Sequence, residues 1–225
     1  MIRVLLCDDH ALIRRGIRDT LSESPEIEVV GEAGDYAELR TLLRQHLCDV
    51  LLLDINLPGR SGLDALQALK DEGSHIRVLV LSMYPEDQYA IRVLRAGAYG
   101  YVHKAGDPGL IVDAVRTVAK GRKYVTPEIA QMLVQSLTEP EGEQAHDRLS
   151  DRELQTLQLI ASGKRLSDIA EALMLSPKTV SVYRARVLEK LGMSNNAELT
   201  VYAIRQGLVG DTGSDMVEER RANAA

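Results

Sequence analysis

The first half of the chain alternates short apolar runs with longer stretches of helical periodicity. Residues 2–7 (IRVLLC), 27–32 (IEVVGE), 49–53 (DVLLL), 76–82 (IRVLVLS) and 99–102 (YGYV) are short, rich in branched aliphatics and bounded by turn formers, as buried strands are. Between and after them lie 11–22, about 36–47, about 61–72, 86–96 and 107–120, where apolar residues recur three and four apart. In the first of these the stripe is Leu12, Ile13, Ile17 and Leu21, with arginines between. Five strands alternating with five helices predict an α/β domain: a five-stranded parallel, doubly wound sheet with helices on both faces.

Past residue 122 the grammar changes. A helix is expected over about 126–137, within a connecting segment 123–148. Glu139-Pro140-Glu141-Gly142-Glu143-Gln144 contains no apolar residue and reads as an exposed, flexible acidic linker. From Leu149 the pattern is helical only. Ser150 and Glu153 form a capping box before the apolar stripe of the next helix, and Gly163 stops it. Ser167 is expected to cap a helix over 168–174. Ser176 caps another that opens on Pro177 and runs to Leu191 before Gly192. A last helix covers about 196–206. Residues 149–210 thus form a separate all-α domain of four helices, and the polar tail 211–225 is expected to be disordered.

Composition narrows the function classes. The apolar runs fall far short of the roughly 18 residues that span a bilayer, which argues against a membrane protein. Met1 leads straight into a strand with no signal-peptide core, so a cytoplasmic location is expected. Cys7 and Cys48, in or beside predicted strands, suit reduced thiols better than a disulfide framework, and no zinc-like cysteine and histidine spacing occurs. The net charge of −6 argues against indiscriminate nucleic-acid binding. It hides an asymmetry, because 149–210 alone is positive, with eight basic against six acidic residues. Lys178, Arg184, Arg186 and Lys190 concentrate on its 177–191 helix.

The candidate chemistry sits at strand ends. Asp8 and Asp9 follow the first strand, Asp54 the third, Ser82 closes the fourth, and Tyr101, His103 and Lys104 come with the fifth. In an open parallel sheet these carboxyl ends share one edge, where ligands bind. Three carboxylates brought together repel one another, so the cluster calls for a cation. Oxygen-only ligands favour a hard ion, and Mg²⁺ suits a site that also takes phosphate. No G-x-x-x-x-G-K-[ST] loop and no histidine-carboxylate-serine arrangement is present. The parts suit phosphorylation of a carboxylate. His10 and His103 read as solvent-exposed neighbours of the cluster. Met83 follows Ser82 and, with Asn56 and Tyr84, bears on water access to the site.

With Leu57-Pro58-Gly59 after Asp54, these residues closely resemble the receiver domain of bacterial two-component response regulators over 1–122. Residues 149–210 resemble a LuxR-type helix-turn-helix, and the two together resemble the NarL/FixJ class. The resemblance implies a flavodoxin-like receiver and a phosphorylation-gated transcription regulator rather than a turnover enzyme. It implies that Asp54 accepts a phosphoryl group from a sensor histidine kinase. Asp9, Asp54 and the backbone carbonyl of Asn56 would ligate Mg²⁺, with Asp8 acting through water. Ser82 and Lys104 would bind phosphoryl oxygens, and Tyr101 would be the aromatic switch. The implied partners are double-stranded promoter DNA, a second copy of the chain on activation, and RNA polymerase.

The 177–191 helix has an independent physical reading. Val180, Val187, Leu188 and Leu191 fall on one stripe, so Lys178, Ser181, Val182, Ala185 and Arg186 should face outward. A preceding helix and a short turn at Ser176-Pro177 give helix-turn-helix geometry, whose second helix enters the major groove. Lys178, Thr179, Tyr183, Arg184 and Arg186 suit phosphates, and an arginine also reaches guanine. Ser181, Val182 and Ala185 suit base edges, the small apolar pair matching thymine methyls. Leu199, Val201, Tyr202 and Ile204 on the last helix serve either pairing of two such domains or the core. Two rival readings differ in class. A phosphatase using Asp54 as turnover nucleophile lacks a general acid two residues on, where Asn56 stands. A phosphate-independent DNA-binding regulator, with the receiver as a fixed dimerisation module, leaves the repelling carboxylates without a purpose.

Overall fold

The computed structural model describes residues 1–84, 86–138 and 144–209 of the chain. It divides into two compact units, Met1–Glu141 and Gly142–Ala225. The first contains β1 (Ile2–Cys7), α1 (Ala11–Ser22), β2 (Ile27–Ala33), α2 (Tyr36–Gln45), β3 (Val50–Asp54), α3 (Gly62–Asp71), β4 (Arg77–Ser82), α4 (Glu86–Ala96), β5 (Gly100–His103), α5 (Pro108–Ala119) and α6 (Pro127–Thr138). All strand pairs are parallel, in the order β2-β1-β3-β4-β5. The order reverses between β1 and β3, which opens a crevice at their carboxyl ends.

The core follows from the apolar runs. Val50 to Leu53 of β3 and Leu79 to Leu81 of β4 are essentially without solvent exposure, as central strands covered on both faces must be. Leu21 of α1 and Ala114, Val115 and Val118 of α5 close one face of this core. Local chemistry sets the helix starts. The Asp35 and Ser61 side chains accept from the backbone N–H groups of Glu38 and Asp64, and Asp107 accepts from Gly109 ahead of Pro108. The chain beyond α5 stays with this unit: the Tyr124 N–H donates to the Tyr99 carbonyl at 2.8 Å, and Ile129 of α6 is fully buried.

The second unit holds a 3₁₀ turn (Ala145–Arg148), α7 (Asp151–Ala161), α8 (Leu166–Ala172), α9 (Pro177–Leu191) and α10 (Asn196–Arg205). The Ser150–Glu153 capping box forms, and Glu153 also accepts from Lys190 of α9 at 2.6 Å. Two local expectations are corrected. α8 starts two residues early, with Arg165 in the capping position: its N–H donates to Asp168, and the Ser167 hydroxyl donates to the Asp168 side chain. The turn before α9 spans Leu173–Ser176 rather than Ser176-Pro177. It closes through Leu175 N–H to Ala170 O at 2.8 Å, with Met174 in the left-handed region at φ 50°. The acidic stretch 139–143 and the tail 211–225, expected to be flexible and disordered, lie outside the described residues. Among the described residues, no helix is long and apolar enough to cross a membrane.

Candidate functional site

Four strand ends meet at the crevice. Asp8 follows β1, Asp54 closes β3, Ser82 closes β4, and Lys104 directly follows β5. The backbone ladder still runs there, with the Lys104 N–H donating to the Ser82 carbonyl at 2.8 Å. The Lys104 ammonium lies 2.6 Å from Asp8 Oδ2 and 2.7 Å from Asp54 Oδ2. All three side chains are at most 3% exposed, so this is a desolvated ion triad with one positive charge between two negative ones.

Further groups share the negative charge. The His10 N–H donates to Asp8 Oδ1 at 2.9 Å, and the His10 ring nitrogen Nδ1 lies 2.6 Å from Asp9 Oδ1. The Arg14 guanidinium donates to the Asp8 carbonyl. Burial pushes the Asp54 carboxyl up from the ordinary carboxylate value and Asp8 adds to the effect, while Lys104 and the Asn56 backbone N–H pull it down. The balance leaves the site short of positive charge.

Asp8 Oδ2, Asp9 Oδ1 and Asp54 Oδ2 are shielded from solvent, and one ammonium, that of Lys104, serves both Asp8 Oδ2 and Asp54 Oδ2. Ligand atoms of Asp8, Asp9, His10 and Asp54 all lie within 4.8 Å of one another. Three carboxylates so close together with a single ammonium among them are consistent with a site for a metal ion, which would answer the charge deficit.

Gly62 positions this cluster, and the sequence reading overlooked it. A Cβ there would lie 2.0 Å from the Asp54 carbonyl oxygen and 2.9 Å from the Ile55 Cα. Only glycine allows the start of α3 to pack against the end of β3, where the Gly62 N–H donates to the Ile55 carbonyl. The available signal was a glycine one residue past a capping serine.

The β4–α4 loop lines the other side. Ser82 is fully buried, and its Oγ accepts from the Tyr84 N–H at 3.0 Å. Tyr101 is fully buried and donates its hydroxyl to the Tyr84 carbonyl at 2.5 Å. The Tyr84 ring stacks on Tyr89 of α4 at 4.7 Å between centroids. His103, expected as a solvent-exposed neighbour, is instead half-buried, and its Nε2 lies 2.9 Å from the Met83 carbonyl. Met83 itself is 55% exposed.

In the second unit α9 separates its faces. Val180 and Val187 have no exposure, and Leu188 and Leu191 are half-buried. Lys178, Ser181, Val182, Ala185 and Arg186 are exposed. Thr179, Tyr183 and Arg184 are half-buried at the flanks. The Ser176 side chain accepts from the Thr179 N–H, and Arg184 donates to Asn196 of α10 at 2.6 Å. On α10, Leu199 is buried and Tyr202 half-buried against His146, while Val201 and Ile204 are exposed.

Known proteins share both halves. Residues 4–116 match the response regulator receiver domain, and 147–203 match the bacterial regulatory proteins of the luxR family. The response regulator UvrY of Escherichia coli strain K12 is 40% identical over 209 residues, covering 92% of this chain and 96% of that one. The response regulator GacA of Pseudomonas protegens is 39% identical over 209 residues, with 93% and 98% covered. Among solved structures, the receiver domain of the putative response regulator NarL from Mycobacterium tuberculosis is 40% identical, with a TM-score of 0.51 over 54% of this chain and 98% of that one. RcsB from Salmonella enterica serovar Typhimurium, bound to promoter rprA in the presence of the phosphomimetic BeF3⁻, is 27% identical, with a TM-score of 0.60 over 89% and 97%. A strand-end acid cluster on a 2-1-3-4-5 sheet, an outward-facing helix-turn-helix and relatives matched along nearly their whole length converge: the chain belongs to the two-component response regulators, transcription regulators that join a receiver domain to a LuxR-family DNA-binding domain.

Proposed function

We propose that Asp54 is the phosphoacceptor and that its phosphorylation gates DNA binding by α9. The observation that carries this reading is the ion triad of Asp54, Asp8 and Lys104 at the switch point of the sheet. A sensor histidine kinase is the donor: an Asp54 carboxylate oxygen bonds to phosphorus as the bond to the phosphohistidine nitrogen breaks. Asp9, Asp54 and the Asn56 carbonyl would hold Mg²⁺, with Asp8 acting through water. That ion, when bound, supplies charge neutralisation at the phosphoryl oxygens.

Lys104 is the group that changes partner. Its ammonium bridges two carboxylates, and a phosphoryl oxygen on Asp54 competes for it, while the Ser82 hydroxyl donates to another oxygen. Drawing Ser82 toward the phosphoryl group disturbs the loop whose Tyr84 carbonyl holds Tyr101 inward, which couples chemistry to the α4 side. Working domain bounds are 1–122 for the receiver, 123–148 for the connector and 149–210 for the DNA-binding domain.

On DNA, Lys178, Thr179, Tyr183, Arg184 and Arg186 position α9 on phosphates, while Ser181, Val182 and Ala185 meet base edges. Phosphorylation promotes homodimers, which bind two half-sites of promoter DNA. The RcsB–promoter structure supports the DNA reading.

Incubation with acetyl phosphate and Mg²⁺ tests the proposal. Wild-type protein should take up one phosphoryl group, gain molecular mass by dimerisation and bind DNA more tightly. Asp54→Asn should do none of these, and phosphoryl uptake by that variant would overturn the assignment.

A further inference from the structure

The phosphoryl-acceptor reading of Asp54 gives the β4–α4 loop a task, and β5 grips that loop twice. Tyr101 and His103 alternate on the same face of β5, so both point toward the loop. The Tyr101 hydroxyl donates to the Tyr84 carbonyl at 2.5 Å, and His103 Nε2 lies 2.9 Å from the preceding carbonyl, that of Met83. A carbonyl only accepts, so the His103 proton resides on Nε2 in this arrangement.

The geometry around Ser82 shows what the second grip restrains. His103 is the register partner of Ser82, the last pairing of β4 with β5. Immediately beyond it the chain turns, closed by the Tyr84 N–H on Ser82 Oγ at 3.0 Å. Met83 therefore occupies the bend between the phosphate-side hydroxyl and the Tyr101 contact. Met83 is 55% exposed, so packing holds it weakly, while its carbonyl is held by His103.

We infer that His103 is a positioning residue for the phosphoryl reaction: by holding the Met83 carbonyl it keeps the Ser82–Tyr84 loop in the unphosphorylated arrangement, and it sets how readily the receiver accepts a phosphoryl group. The inference rests on the assignment of Asp54 and goes beyond it. Tyr101 reports the event at the buried end of the loop. His103 restrains the end next to Ser82, the residue that must turn to the phosphoryl oxygens.

The test titrates the full-length protein with beryllium trifluoride in Mg²⁺, following tyrosine fluorescence, and in parallel measures the rate of phosphorylation by acetyl phosphate. Losing one hydrogen bond of ordinary net strength from the unphosphorylated state should raise beryllofluoride affinity about two- to tenfold in His103→Leu. His103→Gln keeps an N–H donor at similar reach and should return the affinity to the wild-type value. A purely structural role would weaken both variants together. Should His103→Leu fail to fold, the wild-type imidazole answers directly by nitrogen NMR. The Nε2–H tautomer should dominate in the free protein, and its signal should shift on beryllofluoride binding. Unchanged affinity in the leucine variant, an equal change in the glutamine variant, or a His103 signal indifferent to beryllofluoride overturns the inference. Failure of wild-type protein to bind beryllofluoride at all would instead sink the assignment of Asp54.

Discussion

Asp8, Asp54, Ser82 and Lys104 come from four separate strand ends and are almost wholly withdrawn from water. Lys178, Ser181, Val182, Ala185 and Arg186 lie along one stretch of α9 and face solvent. The first group exists only once the sheet has formed, and its charges cost free energy that neighbouring charges must offset. The second is complete as soon as α9 is helical, and its charges remain hydrated until DNA replaces the water. A buried cluster of coupled charges responds strongly to any added charge.

Substitutions can break this contrast, and the largest effect belongs to the triad. Lys104→Met leaves Asp8 and Asp54 as uncompensated buried carboxylates and should cost about 3–5 kcal/mol in urea unfolding without divalent cations. Added Mg²⁺ should restore part of that loss, and a cost below about 1 kcal/mol would mean the pocket is hydrated and the contrast false. Gly62→Ala forces a methyl group onto the Asp54 carbonyl and should cost about 3 kcal/mol while slowing phosphoryl uptake. An unperturbed melting curve for that variant would show that α3 does not constrain Asp54.

On the exposed side, Lys178→Ala should change stability by no more than about 0.5 kcal/mol. It should weaken DNA binding similarly across sequences and lower the salt slope by about 1, and an unchanged slope would remove Lys178 from the phosphate set. The smallest effect concerns an ion pair that staples β1 to the start of β3. The Arg3 side chain, donating twice to Asp49, holds that carboxyl at about 2 despite some desolvation. The folded value is depressed, so the stabilisation is complete above the unfolded value of about 3.9 and fades as pH falls toward 2. At roughly one-third side-chain exposure water screens the pair, so its contribution is small. Unfolding of wild type and Asp49→Asn across this window should show the gap close, and a gap independent of pH would refute the ion pair.

Much of this was legible in the residues. An apolar run ending in a lone acid places Asp54 at a strand end, because buried parallel strands carry few polar residues except at their termini. The stripe of Val180 and Val187 orients α9 without tertiary information, since helical periodicity alone fixes which side is dry. Capping chemistry marked the starts of α7 and α9 for the same local reason. The turn before α9 was misplaced because Met174 takes a left-handed conformation that its side chain does not advertise.

Asp54, its strand and its partner acids were thus determined by the order of residues: hydrophobic patterning fixes strands, and strand ends fix where acids emerge. Tertiary structure alone decided that Lys104 bridges Asp8 and Asp54, that Gly62 must lack a side chain, and that His103 reaches the Met83 carbonyl. Each is a contact between segments distant along the chain or an atom-scale clearance, and neither leaves a periodic trace in the sequence that encodes it.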